Sequence, residues 1–275
     1  MPNAHLLIID PQNDFCDFPA TQAGNQPALP VTGADADICR LAQFIEHSSA
    51  GLENITITLD THQYLDIAHH TFWRDANGAV PPPYTQVRLQ DVTEGRLLPC
   101  RAENLPGVIA YLQQLEQRQR YTHMLWPVHC QLGSWGHAVH AGLLSACNEW
   151  SVRRLRNTVY VQKGYNPGTE HYSAIAAEVP DNADETTGVN RVLLAQLAKA
   201  DYLLVGGEAA SHCLRATVED LLRYLPEFRL PQLVLISDCM SPVSGFEAQA
   251  ATFFADMQAR GVHLMTAQDV LRQVF

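Results

Sequence analysis

The 275-residue chain has no run of eighteen apolar residues, no cluster of five or more Lys or Arg, and no C-x-x-C pair. The first absence excludes a spanning apolar helix. The N-terminus also enters a strand pattern directly, without a basic segment followed by a long apolar stretch, so a soluble, cytoplasmic protein is expected. The second absence, joined to a formal charge of −11, argues against nucleic acid and anionic membrane as partners, because binding phosphates requires a concentrated basic surface. A small-molecule substrate is expected instead. The third absence excludes a zinc ribbon or a redox dithiol. The seven cysteines (Cys16, Cys39, Cys100, Cys130, Cys147, Cys213 and Cys239) are odd in number and widely spread, which suits small core residues rather than a disulfide framework.

Length and apolar content allow one large core, and no shift in composition marks a boundary, so residues 1–275 are expected to form a single domain with embellishments. Six short, β-branched apolar runs stop at polar or reactive residues. HLLIID ends at Asp10, NITITLD at Asp60, THMLWPVHC reaches His129, and VYVQK, YLLVGGEAASHC and QLVLISD lead to Lys163, Cys213 and Asp238. Between them lie a turn-rich stretch from Pro19 to Gly33 and segments at helical period, among them ADADICRLAQFIEHSS and ATVEDLLRYL, with DVLRQVF as a closing helix. This alternation predicts an α/β fold, a doubly wound and mostly parallel sheet flanked by helices. In such a sheet the crevice lies beyond the carboxyl ends of the strands, so the terminal residues of these runs are expected to converge.

The rhythm breaks around residues 74–120. Pro81, Pro82, Pro83 and Pro99, the alternating run TQVRLQDV and the amphipathic GVIAYLQQLEQRQR fall there. The helical part is expected to be the second crossover helix. The rest is expected to be an insertion, a hairpin and loop over the crevice, being too long for a plain connection.

Cys213 follows a strand and a loop of small residues and opens a helical pattern. Helix-terminal N–H groups and the dipole favour a thiolate there, and the same N–H groups could bind an oxyanion. A buried, inert cysteine is the competing reading. Asp10 could serve as a turn cap or as a proton carrier, and Lys163 as a solvated surface charge or as a cation beside the thiol. Together they form the set a nucleophilic thiol needs: a base and a neighbouring positive charge. Asp60 and His62 in D-T-H, with His69, His70 and His129, are ligand types suited to Zn²⁺, Fe²⁺ or Mn²⁺, although twelve histidines make chance pairs common.

The stretches IIDPQNDFC, LDTHQYLDIAHHTFW, WPVHCQLGSWGHAVH, VQKGYNPGTEHYSA and GGEAASHCLRATVEDL, in this order, resemble the signature blocks of the isochorismatase-like cysteine hydrolases, most closely nicotinamidases. The resemblance covers nearly all of the chain outside the insertion. It implies Cys213 as nucleophile, Asp10 as general base and acid, and Lys163 as the cation beside them. It also implies a divalent metal, zinc before iron or manganese, held by Asp60, His62 and His129, with His69 preferred to His70 as a further ligand or partner. Phe15, Trp126 and Tyr172 match positions around the ring of an aromatic carboxamide. Aligning GEAASHC implies a cis peptide bond between Glu208 and Ala209, and an oxyanion hole from the N–H groups of Ala209 and Cys213. Family members often form homo-oligomers.

The implied reaction is hydrolysis of nicotinamide through a thioester. Three departures leave other readings open: Glu208 stands where an aliphatic residue is usual, Ser211 where an aspartate is usual, and the insertion is long. A related hydrolase of another small amide, carbamoyl or ureido substrate is the alternative. A non-catalytic or isochorismatase-type member is a third reading, against which the presence of Cys213 argues.

Overall fold

The computed structural model describes residues 3–19, 25–225 and 230–275, so residues 20–24 of the expected turn-rich stretch lie outside the described residues. Strand β1 (Ala4–Ile9) is buried along its whole length. Its residues alternate between two apolar clusters, Leu7 and Ile9 in one and Leu6 and Ile8 in the other. A strand apolar on both faces must be sandwiched, and each Leu or Ile so buried contributes roughly 1.5–3 kcal/mol.

The chain continues through α1 (Ala34–Ser48) to β2 (Leu52–Asp60), then through β3 (Trp73–Asp75), β4 (Thr85–Val87), α2 (Leu89–Thr93), β5 (Leu97–Pro99), α3 (Leu105–Arg118) and β6 (His123–Leu125). It returns through α4 (Ala141–Arg154) to β7 (Val159–Lys163). The second half holds α5 (Arg191–Leu197), β8 (Tyr202–Gly207), α6 (Cys213–Tyr224), β9 (Leu233–Ile236), α7 (Glu247–Ala259), β10 (His263–Met265) and α8 (Ala267–Gln273). Six strands form one sheet in the order β10-β9-β8-β1-β2-β7, with every pairing parallel.

Helices α1, α4 and α8 cover one face through Ile38, Leu41, Leu143, Trp150 and Val270. Helices α5, α6 and α7 cover the other through Leu193, Leu197, Leu214, Leu221 and Phe253. The architecture is the helix-flanked, doubly wound parallel sheet expected from the sequence. Its winding reverses between β1 and β8, the place where such sheets open a crevice. Among the described residues no helix is long and apolar enough to cross a membrane.

The region of the insertion differs from expectation. TQVRLQDV is a strand only over Thr85–Val87. It then turns into α2, whose first turn is closed by Asp91 accepting the Arg88 N–H at 2.8 Å. Helix α3 packs on α2 and β5 and is not the sheet's second crossover, while α4, packed on α1, lies between β2 and β7. The run THMLWPVHC does not join the main sheet. Its strand β6 pairs antiparallel with β4, and Pro127, which has no N–H to give a ladder, follows shortly after. These parts enclose a third apolar cluster of Trp73, Val87, Tyr111, Leu112 and Leu125. At the end of β9, Asp238 accepts the Ala267 N–H at 2.8 Å, beside the start of α8, and so is engaged away from the other strand-end residues.

Gly207 shows how tightly β8 is pressed against β1. Its φ is 107°, and a Cβ there would lie 2.1 Å from the Ile9 carbonyl oxygen. Backbone on both sides is fixed by the pairing, with Glu208 N–H donating to that same oxygen at 2.7 Å. Gly207→Ala is therefore expected to cost more than about 2 kcal/mol, read as a lower denaturant midpoint with an unchanged slope.

Candidate active site

Four adjacent strands, β8, β1, β2 and β7, deliver Cys213, Asp10, Asp60 and Lys163 to one edge of the sheet. Asp10 stands just past β1 at φ 43°, a conformation that aspartate tolerates better than most residues. Thr58 of β2 holds it in place. The Asp10 N–H donates to Thr58 Oγ1 at 3.0 Å, and that hydroxyl donates to Asp10 Oδ1 at 2.5 Å. Oδ2 has no aligned donor but faces Lys163 Nζ at 2.9 Å. The same ammonium donates to Asp60 Oδ1 at 2.9 Å, to the His171 carbonyl at 3.1 Å and towards Cys213 Sγ at 3.5 Å.

Burial pushes the Asp10 carboxyl above its ordinary value despite the pull of Lys163. Burial also pushes the Cys213 thiol well up, again opposed by Lys163. Burial alone would lower Lys163, but Asp10 and Asp60 outweigh it and hold the ammonium well above the usual lysine range. The group is thus a protonated thiol, a carboxylate disposed to accept a proton and a permanent cation, all almost sealed from solvent.

Beside it lie the imidazoles of His62, His69 and His129, with one ring nitrogen of each within 4.8 Å of the others. Each ring has its Nδ1 side held from behind. His62 Nδ1 meets Asp66 Oδ2 at 3.1 Å, His69 Nδ1 the Gln63 carbonyl at 3.1 Å, and His129 Nδ1 the Pro127 carbonyl at 2.9 Å. Their Nε2 atoms turn inwards. Asp60 Oδ2 lies 3.1 Å from His62 Nε2 and 3.2 Å from His129 Nε2. Three buried imidazoles and one carboxylate, each ring anchored through its far nitrogen, match the donor set and supporting contacts of a divalent metal site. His70 is turned away, its Nδ1 3.1 Å from the Pro81 carbonyl.

A small cavity joins the two groups, with Cys213, Asp60 and His129 on its wall beside Phe15, Trp126 and Tyr172. Trp126 Nε1–H donates to the Tyr172 hydroxyl at 3.0 Å, and Phe15 packs edge-on to His129. The peptide bond between Glu208 and Ala209 is cis. Among the described residues the N–H groups of Ala209 and Cys213 have no hydrogen-bond acceptor, so both are available to a ligand at the thiol. Glu208 is fully buried, and burial raises its carboxyl well above the usual range, next to Asp37. Its Oε2 accepts the Ser241 N–H at 3.2 Å.

Several residues that fix this geometry were not read from the sequence. The Gln12 side chain pairs with the Asp60 backbone in both directions, at 2.8 and 2.7 Å. Asp14 Oδ2 accepts the Cys130 N–H at 2.7 Å, and the Cys130 carbonyl accepts the His62 N–H at 3.1 Å, so this buried cysteine serves through its backbone. The polar run PQND straight after a buried strand was the available signal for Gln12 and Asp14. Thr58 and Asp66 had none, because one side chain within a strand and one in a loop look ordinary until their partners are known.

No protein-family model matches the chain. A nicotinamidase from Escherichia coli (strain K12) is 24% identical over 269 residues, covering 98% of this chain and 97% of that protein. Among solved structures, a nicotinamidase/pyrazinamidase from Acinetobacter baumannii superposes with a TM-score of 0.64 at 20% identity, covering 98% of this chain and 99% of that one. A pyrazinamidase from Pyrococcus horikoshii in complex with zinc gives 0.56 at 18% identity, with 96% and 99% covered. An isochorismatase family protein from Desulfovibrio vulgaris gives 0.53 at 19% identity, with 100% and 98% covered. The resemblance read from the sequence holds: the chain has the isochorismatase-like fold, with nicotinamidases among its relatives.

The carboxylate behind His62 supplies a direct test of the donor set. Asp66→Ala should weaken binding of added Zn²⁺ by about ten- to a hundredfold, read by competition with a chromophoric chelator, because it frees the ring from its supporting contact.

Proposed function

We propose that this chain is a hydrolase of amide C–N bonds, a metal-dependent cysteine amidohydrolase that converts nicotinamide to nicotinate and ammonia. The observation that carries this reading is the opening of the Asp10–Lys163–Cys213 group and the Asp60–His62–His69–His129 group into one aromatic-walled cavity. A buried thiol beside a lysine ammonium and a carboxylate suits acyl transfer, and a slot walled by Phe15, Trp126 and Tyr172 suits an aromatic ring.

Asp10 takes the Cys213 proton while the Lys163 ammonium stabilises the thiolate so formed. Thr58 already occupies Oδ1, so Oδ2 is the oxygen left for that proton. The sulfur attacks the carboxamide carbon, and the N–H groups of Ala209 and Cys213 receive the developing oxyanion. Protonated Asp10 then passes its proton to the leaving nitrogen, the C–N bond breaks, and ammonia departs from a thioester. Water attacks the thioester carbonyl, giving its proton to Asp10. The C–S bond breaks, nicotinate leaves, and the sulfur recovers the proton from Asp10. Phe15, Trp126 and Tyr172 confine the ring and exclude bulk water. A divalent metal on Asp60, His62, His69 and His129, zinc by preference, would supply a positive anchor for the ring nitrogen of the substrate.

One observation favours a second reading, a related hydrolase of another small amide, carbamoyl or ureido compound. Tyr84 of the inserted region stands edge-on to Trp126 with ring centroids 6.0 Å apart, so the insertion contributes to the wall behind the slot.

Purified protein is expected to release ammonia from nicotinamide, and Cys213→Ala and Asp10→Asn should each lower the rate on the order of a thousandfold or more while circular dichroism stays unchanged. Near-wild-type turnover by either variant rules out the assigned roles. Protein stripped of metal and verified by elemental analysis should lose turnover and regain it with Zn²⁺, Mn²⁺ or Fe²⁺. Full turnover in the stripped protein rules out the metal.

A further inference from the structure

We propose that His212 presents a fixed hydrogen-bond donor, its Nε2–H, to the substrate slot and so favours aromatic carboxamides that carry a second acceptor atom besides the ring nitrogen taken by the metal site. This specifies the substrate class of the amidase proposed above and rests on that reading.

The argument is a chain of proton assignments that starts at a backbone amide. Val243 N–H can only donate, and it donates to Ser211 Oγ at 3.1 Å. Ser211 is 1% exposed, so its own hydroxyl proton needs an acceptor. Among the described residues the one group within reach that can accept it is His212 Nδ1 at 2.9 Å. Were Nδ1 protonated instead, Ser211 Oγ would receive two donors and its own proton would be buried without a partner. Turning the ring over would set a C–H against the hydroxyl. The favoured arrangement is therefore Val243 N–H to Ser211 O–H to His212 Nδ1, with the imidazole proton on Nε2.

The ring is held as firmly as its proton. Phe246 stands edge-on at 4.6 Å between centroids, Trp126 edge-on at 5.2 Å, and Tyr121 lies nearly parallel at 6.0 Å. The His212 backbone N–H donates to the Ala209 carbonyl at 3.0 Å, which ties the residue to the nucleophile loop. Burial and the nearby Arg215 lower the imidazole pKa to about 4, so the ring is neutral and its two nitrogens keep distinct roles. Nε2 has no hydrogen-bond partner among the described residues, and the residue lines the cavity beside Cys213.

This arrangement gives Ser211 a physical role. An aspartate at that position would accept a proton from the imidazole and turn the ring's donor away from the slot. A serine that already receives the Val243 N–H does the reverse. A neutral, pre-oriented donor in a small, buried slot discriminates by what it would leave unsatisfied, since a substrate with only C–H opposite it strands the donor.

Two measurements test this. The first is long-range ¹H–¹⁵N correlation of the histidine side chains in wild-type protein, with His212→Phe identifying the signal. The Nε2–H form is expected, shifting to the Nδ1–H form or to a mixture in Ser211→Ala and retained in Ser211→Thr. A wild-type Nδ1–H form overturns the proposal whether or not the protein is an amidase.

The second is kcat/KM for pyridine-3-carboxamide against pyrazine-2-, pyrimidine-5- and pyridazine-4-carboxamide. Each diazine keeps the nitrogen meta to the carboxamide and places a second at a different ring position. His212→Phe is expected to lower kcat/KM for at least one diazine about tenfold more than for pyridine-3-carboxamide, roughly one hydrogen bond. Ser211→Ala should move the same ratio in the same direction and Ser211→Thr should preserve it. Ratios unchanged in His212→Phe overturn the proposal while leaving the amidase reading intact. Absence of any turnover in wild type overturns the amidase reading, and with it the substrate selectivity proposed for His212.

Discussion

One ammonium group ties the site together. Lys163 is 2% exposed, and an ammonium that deep is tolerable only when opposite charges surround it. It lies 2.9 Å from a carboxylate oxygen of Asp10 on one side and 2.9 Å from one of Asp60 on the other. Asp10 belongs to the thiol and Asp60 to the histidine group, so a single cation links two chemically different halves. Removing it would leave two carboxylates buried near each other with no cation between them. Their mutual repulsion and desolvation would favour protonation of at least one. The positions of Cys213 and of the three imidazoles thus share one electrostatic condition, met where β7 lies beside β2 with Asp60 and Lys163 in register.

The parallel sheet was legible in the sequence because its signals are local. A strand buried on both faces reads as an apolar run, as β1, β8 and β9 do, while β2 and β7 are marked by runs of β-branched residues. Asp10, Asp60, Lys163 and Cys213 could be named because each stands at or just beyond such a run. The run before His129 looked like another member of the set, but its strand is only three residues long and pairs within the inserted region. Periodicity identifies a strand, not the sheet it joins. Asp238 failed for the opposite reason: it ends a true sheet strand, but its carboxylate is taken up by the start of α8.

The supporting shell was barely legible, with only the polar run PQND pointing to Gln12 and Asp14. Thr58 acts on Asp10 across 48 positions, and Asp14 on Cys130 across 116. Nothing local in a threonine or an aspartate announces a partner so distant. His69 and His70 show the same limit at short range. Both occupy one motif, yet a single 3₁₀ turn beginning at His70 sends one ring into the cluster and the other towards Pro81. Glu208 and Ser211 stood out as departures from a familiar pattern. Their meaning depends on Asp37, Ser241 and Val243, which lie far from both in the chain.

The reversal of winding between β1 and β8 has a consequence for the order in which the protein can assemble. Strand β1 is made long before its partner on one side, which starts at Tyr202, opposite Ala4. Until that strand is available, one edge of β1 and the groups at its end have nothing to close against. Contacts this remote in sequence form slowly, because a long loop must be closed before any pairing is gained. A partly synthesised chain therefore holds Asp10, Asp60 and Lys163 without their thiol. The reactive sulfur enters its polarised setting only when β8 and α6 dock, so the emerging polypeptide is chemically quiet until both have been made.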